Sequence, residues 1–202
     1  MGISPSSLRF IVKLIIHVVC LALLLNQYWL ALSDNLGADP VKAVLHFTGI
    51  GAFNLLILSL AISPLIKLYK LSFLINYRRL LGLYSFVYAL AHLLSFLAFE
   101  VQFDWRLFLN EIIERPYMTF GMLAFLILLS LAVTSANMIK RKMKKSWQKL
   151  HHWVYFAVTL AAIHFYMSVK SDVTEPLIYI SITLILLWFR RQRLFRYFRQ
   201  SR

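Results

Sequence analysis

Six histidines are the side chains of this sequence best suited to chemistry: His17, His46, His92, His151, His152 and His164. Four of them lie inside long apolar runs, and His151 and His152 sit at the edge of one. No Asp or Glu falls within any such run, and Cys20 is the only cysteine. A carboxylate proton relay, a di-metal carboxylate centre and an intrachain disulfide therefore have no residues to build them, and a Cys-ligated cluster lacks its ligand set. What remains is imidazole chemistry. Neutral imidazole is a standard protein ligand of haem iron, and two imidazoles from facing helices give a six-coordinate electron carrier. An ionisable group at membrane depth is a functional candidate because it must find a partner there.

The elements that carry these histidines follow from composition. Hydrophobic residues make up 60% of the 202 residues and charged ones 15%, against about a quarter charged in soluble domains. The apolar residues come in runs near the ~20 residues that a helix needs to cross a bilayer. The sequence predicts an all-α, polytopic membrane bundle forming one domain over residues 1–202, with six spans at about 10–32, 43–66, 80–99, 117–139, 151–169 and 176–189. The last is short, and Arg190 and Arg191 could snorkel to lengthen it. Of 22 Lys and Arg, 18 fall in the N-terminal segment, the loops at 67–79 and 140–149, and the tail, whereas all eight acids fall in the other loops. The positive-inside rule then places both termini in the cytoplasm of a multi-pass bacterial inner-membrane protein.

The net charge of +14 belongs to helix ends that topology already requires, so no nucleic-acid partner is expected. The first apolar run exceeds the h-region of a cleavable leader, so none is expected. No connection is long enough for a Rossmann domain. There is no Gly-rich phosphate loop, and no internal repeat is evident. The outer loop at 100–116, with Trp105, Phe108 and Leu109, could form an interfacial helix or a docking surface.

Depth pairs two of the histidines. His92 lies about 18 Å along the third span and His164 about 19.5 Å along the fifth, both rising from the cytoplasmic side. Small residues accompany each: Ser85, Ala89 and Ser95 near His92, and Ala157, Ala161 and Ser168 near His164. Such surfaces admit either a flat macrocycle or another helix, so the pair reads as haem ligands or as an interhelical hydrogen-bonding pair. His151 and His152 could ligate a second haem near the cytoplasmic face or hydrogen-bond to headgroups. Their rotations of about 220° and about 120° from His164 keep them off its strict helix face. His17, in the inner half of the first span, is an alternative ligand, and His46, near the outer end of the second, a weaker one. Arg78, Arg79, Arg115 and Lys170 stand at span ends, where propionates could emerge and where topology alone would also place them.

Four segments carry a resemblance: LGADPVKAVLHFTG (36–49), RRLLGLYSFVYALAHLLSF (78–96), RPYMTFG (115–121) and WQKLHHWVYFAVTLAAIHFYMSVK (147–170). In this order they resemble the ferric-reductase-like transmembrane superfamily, and within it the haem-binding membrane subunits of bacterial periplasmic methionine sulfoxide reductase systems. The resemblance covers nearly the whole chain apart from the basic tail. It implies haem b, one or two groups, with the family's haem histidines falling on His92, His151 and His164. His152 is the alternative within the doublet. It implies FMN as a further cofactor, electrons from the quinone pool or a cytosolic flavin reductase, and a periplasmic molybdopterin-containing catalytic subunit as partner. No motif places FMN or quinone.

Three functions compete on this reading. An electron-transfer subunit, not an enzyme on its own, is the first, and a self-contained transmembrane haem metalloreductase is the alternative. A small transporter ranks last, because the intramembrane polar residues are mainly histidines and do not line a midplane path.

Overall fold

The computed structural model describes residues 4–200, and among these it contains helices and turns without strands. Nine α-helices follow in order among the described residues: α1 (Pro5–Leu32), α2 (Pro40–Tyr69), α3 (Ile75–Ser95), α4 (Trp105–Glu114), α5 (Pro116–Val133), α6 (Asn137–Met143), α7 (Lys145–His151), α8 (Val154–Ser168) and α9 (Thr174–Gln200). Arg202, counted in the basic tail, lies outside the described residues. Among the described residues, four segments are long and apolar enough to cross a bilayer: Ser6–Leu32, Pro40–Tyr69, Ser72–Glu100 and Pro116–Val133.

Local chemistry sets the helix ends. The Ser4 hydroxyl accepts from the Ser7 N–H at 3.2 Å and caps α1, since the first N–H groups of a helix lack intrahelical partners. Gly37, at φ 80°, supplies the left-handed turn before α2, a conformation that glycine adopts without a Cβ penalty. Asp39 then caps α2 through Oδ1, which accepts from the Lys42 N–H at 2.9 Å. Arg115 is extended because Pro116 follows it, and that proline takes the first turn of α5, where its missing N–H costs nothing. Asp172 accepts from the Thr174 N–H at 2.9 Å at the start of α9.

Several ends differ from those read in the sequence. Helix α5, in the fourth expected span of 117–139, ends at Val133, with Thr134 as its C-cap and the Thr134 N–H bonded to the Ser130 carbonyl at 3.1 Å. Ala136 is then extended and α6 begins afresh. The fifth helix starts at Val154, after a turn at His152 and Trp153. The third continues past Ser95 as a π-helical turn, Phe96–Glu100. The loop at 100–116 does form a helix, α4, with Phe108 buried and Trp105 63% exposed.

The chain divides into two compact units. The first joins the chain up to Ser59 with Phe73–Leu109. Its core gathers Cys20, Leu24, Ala52, Leu55, Tyr84 and Tyr88 from α1, α2 and α3. Hydrogen bonds stitch these helices: Tyr88 Oη donates to the Cys20 carbonyl at 2.7 Å, and Ser85 Oγ to the Ala52 carbonyl at 2.8 Å. Ser95 Oγ pairs with Tyr28 Oη at 2.7 Å. At Ser85 and Ser95, therefore, the small residues of α3 face neighbouring helices.

The second unit joins Leu60–Ser72 with the chain from Asn110 onward. Here α5 packs along α8, and α8 against α9, with Ala157 and Val158 almost wholly buried. Pro64 lies inside α2. An interior proline costs about 3 kcal/mol, partly because it withdraws the N–H that would bond four residues back. The carbonyl so released is that of Leu60, and Arg190 Nη2 donates to it at 3.2 Å while Nη1 donates to Tyr155 Oη at 3.0 Å. A hydrogen bond to a charged group contributes about 1.5–3 kcal/mol, so this contact offsets much of the proline's cost. Arg190 therefore does not snorkel: it is 5% exposed, and only Arg191 lies outward, over the Trp188 ring at 3.9 Å.

Candidate functional site

In the first unit His92 of α3 is held against α2. Its Nδ1 lies 2.9 Å from the Leu45 carbonyl and 3.4 Å from Thr48 Oγ1. A carbonyl can only accept, so Nδ1 carries the proton, and Nε2 keeps the lone pair that a metal would take. Thr48 is fully buried and donates to the Val44 carbonyl at 2.7 Å. The ring reaches the α2 backbone because residue 49 is glycine: a Cβ there would stand 3.2 Å from both Nδ1 and Cε1 of His92.

In the second unit His164 of α8 is held against α5 in the same manner. Its Nδ1 donates to the Tyr117 carbonyl at 2.7 Å, which again leaves Nε2 as the lone-pair nitrogen. A Cβ on Gly121 would stand 2.7 Å from Nδ1 and 2.8 Å from Cε1. In each case the carbonyl lies 47 residues before its histidine, and the glycine lies four residues after the carbonyl. A local device thus recurs in a sequence that shows no evident repeat.

The other histidines are held differently. His151 Nε2 lies 3.2 Å from Thr134 Oγ1, whose own proton goes to the Ser130 carbonyl. The hydroxyl oxygen therefore accepts from Nε2–H, and His151 takes the opposite tautomer, with its lone pair on Nδ1. Trp147 stacks on the His151 ring at 3.9 Å and donates through Nε1 to the Thr134 carbonyl at 2.9 Å. His152 donates through Nδ1 to the Gln148 carbonyl one turn back, and so shares the tautomer of His92 and His164. His17 is exposed on α1, with Nδ1 2.7 Å from Tyr84 Oη. His46 is exposed and lines an apolar groove of about 790 Å³ between α1 and α2, together with Gln27 and Asn54.

Among the described residues no three His, Cys, Asp or Glu side chains come together as a metal-holding set. Single imidazoles with fixed tautomers suit an iron that a macrocycle already holds through four nitrogens. The residues present thus fit haem.

Residues 48–162 match the family described as ferric reductase like transmembrane component. Among similar proteins, one from Pectobacterium carotovorum is 43% identical over 191 residues, covering 93% of this chain and 94% of its own. Another, from Xanthomonas axonopodis, is 43% identical over 164 residues, covering 81% and 75%. A third, from Xanthomonas oryzae, is 41% identical over 193 residues, covering 93% and 88%. All three are called protein-methionine-sulfoxide reductase heme-binding subunit MsrQ. The chain belongs to the ferric-reductase-like transmembrane family, among the MsrQ subunits. Family and apolar helices together make it a multi-pass membrane protein.

Two of the segments that resemble the MsrQ subunits now have physical content. In LHFTG, Leu45 supplies the carbonyl, Thr48 the hydroxyl and Gly49 the gap for His92. In RPYMTFG, Tyr117 and Gly121 do the same for His164, and Arg115 steadies Tyr117 by donating from Nη1 to its Oη at 3.2 Å. Arg115 Nε is also paired with Glu111 at 2.8 Å. Of the other expected propionate partners, Arg78 is half-buried, while Arg79 and Lys170 are exposed. Reading the sequence missed Gly49, Gly121 and Arg190. The two glycines were visible as small residues in Leu- and Phe-rich helices, each four residues after a position that turns out to supply a carbonyl. Arg190 gave no such signal.

Proposed function

We propose that this chain is the haem b-binding, electron-transferring subunit of a protein-methionine-sulfoxide reductase system in the bacterial inner membrane. The carrying observation is that His92 and His164 both spend Nδ1–H on a backbone carbonyl, the bond that orients a metal-ligating histidine and strengthens Nε2 as a donor. Haem so held supplies one-electron chemistry without a substrate site in the protein. In this reading His92 and His164 ligate the outer haem. His151 serves the inner end, with His152 or His17 as substitutes, and Arg78, Arg79, Arg115 and Lys170 are available to propionates. The residues' task is to fix ring orientation and exclude water.

Both termini are cytoplasmic, α8 and α9 complete six crossings, and the chain works as a single membrane domain. Electrons enter from the quinone pool or a cytosolic flavin reductase, with FMN as an additional cofactor, and leave to a periplasmic molybdopterin-containing catalytic subunit. The names of the relatives, which describe the heme-binding subunit of a protein-methionine-sulfoxide reductase, support a catalytic partner. The acids Glu100, Asp104, Glu111, Glu114, Asp172 and Glu175 fall in the outer connections and would steer a complementary partner.

The test is spectroscopic. With the catalytic subunit present, the reduced b-type spectrum should decay when methionine sulfoxide is added, and without it the spectrum should persist. Equal decay by the chain alone would reject the carrier role. Decay with ferric chelates in place of sulfoxide would favour the self-contained metalloreductase.

A further inference from the structure

We infer that the chain carries one histidine-positioning unit twice, 72 residues apart, and that Gly49 and Gly121 are the positioning residues of the two copies. The inference rests on His92 and His164 being iron ligands. Three matched positions define it: the carbonyl residues Leu45 and Tyr117, the glycines Gly49 and Gly121, and the histidines His92 and His164, all at the same offset without a gap. Glycine and histidine occur six times each in 202 residues, so composition does not readily place both at one offset with the same hydrogen bond. The copies extend further. Residues 49–56 and 121–128 share the pattern Gly-x-x-Ala-Phe-x-x-Leu. Ala52 and Ala124 are both buried, as are Leu56 and Leu128, and Ser85 and Ala157 are each 0% exposed. Matches of Ala and Leu alone would mean little in apolar helices. Joined to the shared geometry, they mark one construction used in two helix pairs.

The glycines do more than fill space. In a helix the N–H of residue 49 bonds to the carbonyl of residue 45, and that of residue 121 to the carbonyl of residue 117. Each carbonyl therefore accepts twice, once from its glycine and once from the imidazole. Any Cβ would intrude between ring and backbone, by far the more severely at Gly121. The ring would then turn or withdraw, and the Nδ1–H bond would lengthen. That bond raises the basicity of Nε2 and fixes the ring plane, and a weaker donor favours the reduced iron. Gly49 and Gly121 thereby set donor strength and ring plane without touching the iron.

The experiment uses the full chain, loaded with haem, in lipid nanodiscs. Gly49→Ala and Gly121→Ala are compared with Gly51→Ala, whose Cβ would meet the Tyr88 ring at 2.4 Å, and with Gly82→Ala, whose nearest contact is Ser59 Oγ at 3.5 Å. Gly51→Ala reports a packing defect that touches no histidine, and Gly82→Ala an ordinary contact. Gly49→Ala and Gly121→Ala should raise a midpoint potential and alter the low-spin electron paramagnetic resonance signal, Gly121→Ala more strongly. Gly51→Ala should lower thermal stability while leaving both readouts in place. His92→Ala and His164→Ala run alongside. If these lose haem while both glycine variants keep wild-type potential and signal, the positioning role is overturned and the ligand reading stands. If the histidine variants keep full haem and an unchanged spectrum, the ligand reading itself falls. Should Gly121→Ala fail to fold, Gly49→Ala, with the looser contact, decides by the same criteria.

Discussion

Arg190 donates to the backbone carbonyl of Leu60 at 3.2 Å, the oxygen that Pro64 leaves without a helical donor. A cation and a proline far apart in sequence are therefore one unit of structure. Arg190→Met should destabilise the protein by about 2 kcal/mol, the scale of a lost charge-assisted bond. In a Pro64→Ala background the helix regains its own donor, so the same substitution should cost clearly less. Thermal or denaturant unfolding in detergent, arranged as a double-mutant cycle, measures the difference. Additive losses would show that the contact carries no coupling.

Either His92→Ala or His164→Ala should abolish or strongly change the reduced-minus-oxidised b-type spectrum of the purified protein. His46→Ala should spare it, because that ring lies in the apolar groove between α1 and α2. Retention of full haem content by both single variants would rule out this pair as the ligands.

His151 meets Thr134 through Nε2 and Trp147 through its face. If it serves the inner end, His151→Ala should reduce haem content or shift a midpoint potential, and Thr134→Val, which removes the hydroxyl beside the ring but keeps the imidazole, should shift the potential less. The same shift in His152→Ala, with His151→Ala silent, would move the role to the neighbour. Wild-type behaviour of both would leave two interfacial histidines.

Reporter fusions test the orientation implied by 18 of 22 basic residues on one side. Fusions after Ser72 and Lys145 and at the C-terminus should read cytoplasmic, and those after Asp39, Glu111 and Asp172 periplasmic. A periplasmic C-terminus would remove one crossing.

Hydrogen bonds from Thr174, through its side chain and its backbone N–H, hold the Asp172 carboxyl below the usual carboxylate range. A carboxylate with a depressed folded value stabilises above its unfolded pKa and loses that contribution as pH falls through the folded one. The anchoring of α9 at its first turn should therefore weaken only in acid, below about pH 4. Hydrogen exchange at the start of α9 should show this dependence in the parent protein and lose it in Asp172→Asn.

The helical class and four of the apolar crossings were legible in the sequence because they depend on run length and side-chain type. Helix ends were less so. The stop at Val133 falls within a continuous apolar run, so an apolar tally does not report it. The bond from Ser85 to the Ala52 carbonyl was not legible, because its acceptor is backbone on another helix. The repeated device stayed hidden for a different reason. Its acceptors are backbone carbonyls, which leave no residue signature, so only the glycines, the short pattern they open and the equal spacing betray it. Arg190 looked like a surface anchor because a proline's consequence four residues upstream is visible only in three dimensions.

Helices α2 and α5 have 30 and 18 residues, which corresponds to rises of about 45 and about 27 Å. The hydrocarbon core of a typical bilayer is about 30 Å thick. A span as short as α5 is met by local thinning, snorkelling flanks or association, whereas one as long as α2 can tilt. Tyr117, whose carbonyl holds His164, is the second residue of α5, so it sits where hydrophobic mismatch pulls hardest. Longer acyl chains would strain the His164 bond before the His92 bond, making bilayer thickness a lever on one half of the molecule and not the other.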